Sequence, residues 1–255
     1  MKFIILLLSM LTFVFASDFQ SKRVLTLSVK DIENFSIHSR SGKLFIEGDA
    51  SLEKIQVKAL ISIKGLSASR AKKFLKDHVN LRLEKVGNKA KLVAKIENNF
   101  SGIFSGLTSA RIDLEIRIPH NLNLDINDGS GGIVILNTKG KLKIEDGSGS
   151  IRISNNRGDV YIEDGSGSLE AEKIKGNVEI EDGSGSITLG NIAGDVQIND
   201  GSGEMSVKKV TGKVVVWDGS GAIKIRDIDG DVIIKEDGSG GVSIRGVSGN
   251  VIRKD

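Results

Sequence analysis

Beyond about residue 121 the chain alternates apolar and polar positions in short runs, each opened by a glycine. Glycine recurs every nine residues, at 131, 140, 149, 158, 167, 176, 185, 194, 203, 212, 221 and 230. Nearly every one is followed by two apolar residues separated by one other, as in Gly149-Ser150-Ile151-Arg152-Ile153 and Gly158-Asp159-Val160-Tyr161-Ile162. A period of two turns Ile151 and Ile153 to one face and Arg152 to the other, the pattern of a short strand with one side buried. The pattern therefore predicts a glycine turn plus a strand, repeated twice in each longer unit.

The longer unit is marked by Asp-Gly-Ser-Gly, which begins at Asp128, Asp146, Asp164, Asp182, Asp200, Asp218 and Asp237. The steps are 18 residues, with one of 19 after an insertion near Lys235–Glu236. Such a period predicts coils that cannot fold singly and bury a continuous core by stacking. A third apolar column, Ile174, Ile192, Val210, Ile228 and Val247, completes the interior. The fold expected is all-β, a single-stranded parallel β-solenoid of 18-residue coils, each made of two nine-residue halves. A left-handed hexapeptide helix is excluded, because its apolar positions recur every six residues. A calcium β-roll has the nonapeptide period but places its Asp elsewhere.

Residues 17–120 lack the regular repeat and are expected to form a β-rich cap continuous with the solenoid. Alternation predicts strands at Val24–Val29, Lys43–Glu47, Lys54–Ile63, Val79–Val86, Lys89–Ile96 and Arg111–Ile118. Val86-Gly87-Asn88-Lys89 suits a hairpin turn. Ser69–His78 suits one amphipathic helix, with Ala71, Phe74 and Leu75 on one face and Ser67 or Ser69 as its cap. Residues 98–110 read as a loop, and Pro119 closes the last strand. At the far end, Arg253 stands where Ile162, Ile180 and Ile198 stand in earlier coils, an inward charge that guards the terminal strand.

The opening residues add a compartment. Lys2, an apolar run from Phe3 to Phe15, and Val14 and Ala16 at the peptidase positions read as a signal peptide over residues 1–16. The run is shorter than the roughly 20 residues of a spanning helix. The product would be periplasmic, displayed on the outer surface or secreted, with no transmembrane anchor after cleavage.

The residues that carry the repeat, Ile118-Pro119, Gly147–Ile153 and Gly158–Ile162, resemble a bacterial family of putative adhesins, domains of unknown function. The resemblance covers most of the chain after the leader. It implies tandem G-S-G-x-I-x-I coils behind an irregular β-rich start, and it brings no catalytic residues.

Composition removes several classes of function. The chain has no Cys, so disulfides and thiolate chemistry are absent. With 36 basic against 33 acidic residues it is not a nucleic-acid binder driven by bulk charge. The Asp column could line up divalent cations, but turn chemistry explains it better, since each Asp can accept bonds from its own Gly-Ser-Gly amides. No metal site or cofactor is therefore assigned. Lys139, Arg157, Lys173, Lys175, Lys208, Lys209, Arg226 and Arg245 form a basic edge open to an anionic glycan, or simply a solvated one. Short uniform turns leave no deep cleft, and a ladder of equal carboxylates is not the pair a glycosidase needs. A polysaccharide-active enzyme is thus a remote reading, and no catalytic residue is assigned. The outward columns also lack the Thr arrays of an ice-binding face.

One outward column reads Lys143, Tyr161, Glu179, Gln197, Val215, Ile233, Ile252. Its apolar end, together with Trp217, the chain's one tryptophan, forms a candidate contact patch: Val215, Trp217, Ile233 and Ile252. The expected function is non-enzymatic: an adhesin-like rod presenting a rigid face to a surface protein or glycan. The alternative is an envelope scaffold that grips a protein through the patch.

Overall fold

The computed structural model describes residues 11–15, 18–97 and 109–254, the first segment by its backbone. The start of the chain gives β1 (Leu11–Phe15), β2 (Asp18–Ser28), β3 (Asn34–Ser39), β4 (Leu44–Asp49), β5 (Lys54–Lys64), α1 (Ala68–His78), β6 (Val79–Val86), β7 (Lys89–Ile96) and β8 (Ser109–Pro119). The coils continue as β9 (Asn123–Asp128), β10 (Gly131–Leu136), β11 (Leu142–Asp146), β12 (Gly149–Asn156), β13 (Val160–Asp164), β14 (Gly167–Ile174), β15 (Val178–Asp182) and β16 (Gly185–Ile192). They end with β17 (Val196–Asp200), β18 (Gly203–Val210), β19 (Val214–Asp218), β20 (Gly221–Ile228), β21 (Val232–Glu236), β22 (Val242–Val247) and β23 (Val251–Arg253).

Each coil gives one strand to each of two facing sheets. The first sheet runs β1-β2-β5-β8-β4-β10-β12-β14-β16-β18-β20-β22, and the second β23-β21-β19-β17-β15-β13-β11-β9-β3-β7-β6. From β9 onward the pairing is parallel, with identical positions opposed: Ile151 to Leu169 to Ile187, and Ile144 to Ile162 to Ile180. The core is the run of inward aliphatics, in which Ile144, Ile162, Ile187, Val196 and Ile198 are fully buried. The parallel solenoid read from the repeat is the fold of the protein.

The corner glycines show why the spacing is strict. Gly149 has φ +142°, and a Cβ there would lie 1.6 Å from the carbonyl oxygen of Gly131 in the coil below. No side chain fits that approach. The left-handed backbone belongs to the second glycine of Asp-Gly-Ser-Gly in the copies up to Gly221, and to the first, Gly238, in the last copy.

The cap contains coil layers that its sequence hides. β3 pairs in parallel with β9, Phe35 opposite Leu124 and Ile37 opposite Ile126. β4 pairs in parallel with β10, Leu44 opposite Ile133 and Ile46 opposite Ile135. Beneath this coil lies another, since β7 pairs with β3 and β8 with β4, both parallel. The space order is therefore not the chain order. β5 then joins β8 and β2 antiparallel, and β6 folds on β7 through the expected hairpin, with Val86 opposite Lys89.

The helix buries Ala71, Phe74 and Leu75 as its spacing predicts. Ser67 occupies its N-cap, but no side chain caps it; the Ser67 carbonyl accepts from Ala71 N at 2.8 Å. β3 has no counterpart among the strands expected from alternation. Of the leader, residues 1–10 and 16 lie outside the described residues, and β1 pairs antiparallel with β2. The loop expected over 98–110 lies outside them as far as residue 108. Among the described residues no helix is long and apolar enough to cross a membrane.

Candidate functional site

The column of repeat aspartates lies inside the protein. In each strand such as β11, Leu142, Ile144 and Asp146 face inward while Lys143 and Glu145 face out. Asp128, Asp146, Asp164, Asp182, Asp200 and Asp218 are thus buried, each at 6 % exposure or less. They are a corner of the core and not part of an acidic outer edge; that edge is left to Glu145, Glu163 and Glu181. The turn reading explains half of their bonding. Asp164, Asp182 and Asp200 accept from the amides of Ser166, Ser184 and Ser202 at 3.3, 3.2 and 3.1 Å. Asp128 accepts from the Ser39 hydroxyl at 2.6 Å. The second oxygen of these four, and both oxygens of Asp146 and Asp218, are buried without a hydrogen-bond partner.

Stacked at about 4.8 Å in a dry corner, these carboxyls resist ionisation. Burial, then the charges of Asp128 and Asp164, raise Asp146 to about 7; the Gly147 and Ser148 amides moderate the shift without reaching bonding geometry. Burial and Asp182 raise Asp200 to about 6. Burial also raises Asp128, Asp164, Asp182 and Asp218. Among the described residues no group of three or more His, Asp or Glu is placed to hold a metal ion.

The opposite corner is built from left-handed residues. Asn137, Asn155, Lys173, Asn191, Lys209 and Asp227 have φ between 56° and 60°. This tight bend throws Lys173 and Lys209 outward, beside Lys175 and Arg226, as the basic edge. Just inside it, Thr138 and Asn156 replace the apolar third column in the first coils. Thr138 Oγ1 donates to Asn156 Oδ1 at 2.9 Å, and Asn156 Nδ2 donates to the Gly158 carbonyl at 2.7 Å.

A second ladder has no forewarning in the hydrophobic pattern. The residue after each coil glycine reaches the next coil: Asp159 accepts from Asn177 N at 3.1 Å, Asn177 from Asp195 N at 2.9 Å, and Asp195 from Lys213 N at 3.0 Å. A side-chain carbonyl or carboxylate at this position ties the rungs together. The recurrence of Asn and Asp after Gly158, Gly176, Gly194 and Gly230 is the signal.

The contact patch lies on the outer face of the second sheet. Val215 stands opposite Ile233, and Ile233 opposite Ile252, on three consecutive rungs. Their exposure is graded. Val215 is only 8 % exposed, Trp217 and Ile233 are half-buried, and Ile252 is 44 % exposed. Val215 is flanked on that face by Gln197 and Ile233 in the ladder, with Trp217 two residues along its own strand. Trp217 marks a bulge: it pairs with Asn199 on one side, but with Glu236 on the other, where the inserted residue enters. Its side chain lines a hollow with Glu179, Glu181, Gln197 and Asn199. At the end of the stack Arg253 sits opposite Ile234, and its guanidinium reaches the carboxylate of Asp237, the last of the column.

A hollow of about 320 Å³ at the cap–coil junction brings His120 together with Glu47, Asp49, Lys139 and Arg157. It does not assemble a nucleophile and base. Asp49 is held by Arg117 at 2.6 Å and by the Ser51 amide and hydroxyl at 2.8 and 2.7 Å, with Ser51 keeping it below the ordinary carboxylate range. Desolvation, then Lys139 and Arg157, depress the His120 imidazole. Thr138, the lining hydroxyl, is spent on Asn156.

No family model matches the chain, and no curated protein matches it. Solved structures do. A putative cell adhesion protein from Clostridium sporogenes is 12% identical, with 92% of this chain and 100% of that chain covered, at a TM-score of 0.33. A putative adhesin from Bacteroides fragilis is 11% identical over 91% of this chain and 97% of its own, at 0.39. A putative lipid binding protein from Parabacteroides distasonis is 14% identical over 92% and 97%, at 0.47.

Proposed function

We propose that this chain is an exported, non-enzymatic solenoid that acts by presenting a rigid face, in the manner of an adhesin. The observation that carries the reading is the outer face of the second sheet. There an apolar ladder of Val215, Ile233 and Ile252 continues, in register, a row that runs from Asp125 through Lys143, Tyr161, Glu179 and Gln197. Parallel strands locked by interior packing hold such a row straight without loops to order on binding, which keeps the entropic cost of association low. A partly exposed aromatic beside aliphatics on a flat surface is the usual composition of a contact centre.

The test compares wild-type and Trp217→Ala proteins for surface exposure on intact cells and for attachment to host cells or glycans. Surface exposure with attachment lost in the variant supports the reading. A protein confined to the periplasm that attaches to nothing overturns it. The second reading, an envelope scaffold gripping a protein through Val215, Trp217, Ile233 and Ile252, is favoured by the apolar character of that end of the ladder. Its mark is a periplasmic partner retained by wild type and lost on Trp217→Ala.

A further inference from the structure

The chain has one Tyr and one Trp, and both lie on the same outer face, three rungs apart. At about 4.8 Å per rung they are separated by about 14 Å along the stack. Between them the outward positions are Glu163, Glu179, Glu181, Gln197 and Asn199. The strands β13, β15, β17 and β19 contain no Lys or Arg.

The two aromatics line adjoining hollows. Tyr161 lines a hollow of about 680 Å³ with Asn177 and Glu179, and Trp217 lines a hollow of about 190 Å³ with Glu179 and Glu181. Glu179 is common to both. Desolvation, then the carboxylates of Glu181, Glu163 and Glu179, raise the Tyr161 phenol. The cations at the near end are already engaged: Lys143 with Glu145 at 2.6 Å, and Lys141 with Asp159 at 3.5 Å. The two rings thus flank a shallow groove whose amides are Asn177, Gln197 and Asn199 and whose carboxylates are Glu179 and Glu181, with Glu163 outward beside them.

We propose that this groove binds a glycan bearing free amino groups, whose sugar faces stack on Tyr161 and Trp217 and whose ammonium groups meet Glu163, Glu179 and Glu181. Pyranose rings offer apolar C–H faces that suit exposed aromatic rings, and an ammonium near a ring and a carboxylate gains both cation–π attraction and a charge-assisted hydrogen bond. Acidic glycans are repelled by the same three carboxylates. The inference rests on the binding-face reading above and supplies its ligand class.

Trp217 is the sole tryptophan and so reports on the groove by its fluorescence. Titrating the full-length protein with a glucosamine oligomer is expected to change that fluorescence saturably. The fully N-acetylated oligomer is expected to bind about tenfold more weakly. Tyr161→Ala and Glu181→Gln, both at outward positions, are expected to weaken binding about tenfold each with circular dichroism unchanged. No saturable change, equal affinity for the acetylated oligomer, or tighter binding of an oligolysine peptide overturns the inference. Attachment of wild type to intact cells, lost in Trp217→Ala, requires no amino sugar, so failure of the glycan titration is distinguishable from failure of the binding face.

Discussion

The hydroxyl of Ser39 donates to the carboxylate of Asp128 at 2.6 Å, across 89 residues of sequence and entirely inside the protein. Ser39 lies at the position in its coil that Asp occupies in every later one, so the first carboxyl of the ladder rests on a neutral donor instead of another charge. Ser39→Ala removes that donor and lets the Asp128 pKa climb further, because the Ser39 bond lowers it. The expected loss is about 1–3 kcal/mol at pH 8, and it shrinks toward pH 5 as the raised carboxyl takes up its proton. Urea unfolding at the two pH values measures it; an equal loss at both contradicts the assignment.

The ladder as a whole makes stability depend on pH in an unusual direction. Asp146 is raised to about 7 and Asp200 to about 6, against unfolded values near 4. The folded chain therefore holds more protons than the unfolded chain between about pH 4 and about 7. Their contribution is fully present below the unfolded pKa and is lost as pH rises through the folded one. A proton on one carboxyl also supplies the donor that its neighbour's unpartnered oxygen lacks. The melting temperature is expected to fall from pH 5 to pH 8, and Asp146→Asn to flatten that slope while stabilising the protein at pH 8 by roughly 1–3 kcal/mol. A melting temperature that rises over this interval rules the account out.

Two adjacent glycines should respond in opposite ways. Gly131 has φ +135° and a Cβ there would lie 1.9 Å from the Gly42 carbonyl oxygen, whereas at Gly132 the nearest atom is the Ser150 hydroxyl at 3.3 Å. Gly131→Ala is expected to cost at least about 3 kcal/mol, or to abolish folding. Gly132→Ala should change stability by no more than about 1 kcal/mol. Parallel denaturant titrations decide it.

Asn156 is the polar pin of the early coils, fully buried and bonded to both Thr138 and the Gly158 carbonyl. Asn156→Ala strands both partners and should cost roughly 2–4 kcal/mol. The double change Thr138→Val with Asn156→Ile restores the apolar column of Ile174 and Ile192 and should recover much of that loss. A cost for the single change below about 0.5 kcal/mol would mean that water replaces the amide.

The period of 18 residues made the solenoid, its register and its core legible, because a stacked coil repeats its inside and outside positions without exception. The cap was less legible for a local reason. Its hidden coil carries Ser39-Arg40-Ser41-Gly42 where later coils carry Asp-Gly-Ser-Gly, and only Ser41 and Gly42, the latter at φ +113°, still follow the motif. Phe35 and Ile37 keep the strand pattern before it, but over too few residues to stand out. The inward direction of Asp was written in the alternation, since Leu142, Ile144 and Asp146 are two apart, yet charge made the solvent side seem natural. That Tyr161 and Trp217 line hollows sharing Glu179 is set by how side chains lean along the stack, which alternation does not encode.

The layer formed by β3 and β4 has its upper neighbours at β9 and β10 and its lower ones at β7 and β8. On a ribosome those partners emerge only after the long excursion through β5, α1 and β6. Residues 34–49 therefore spend much of translation with both strand edges and Phe35, Ile37, Leu44 and Ile46 unsheltered. Growth from the first coil upward is not available to this chain, which must close a distant, knit junction before the regular rungs have a template. A nascent chain so arranged stays open until that junction closes, and the remaining rungs can then add in sequence.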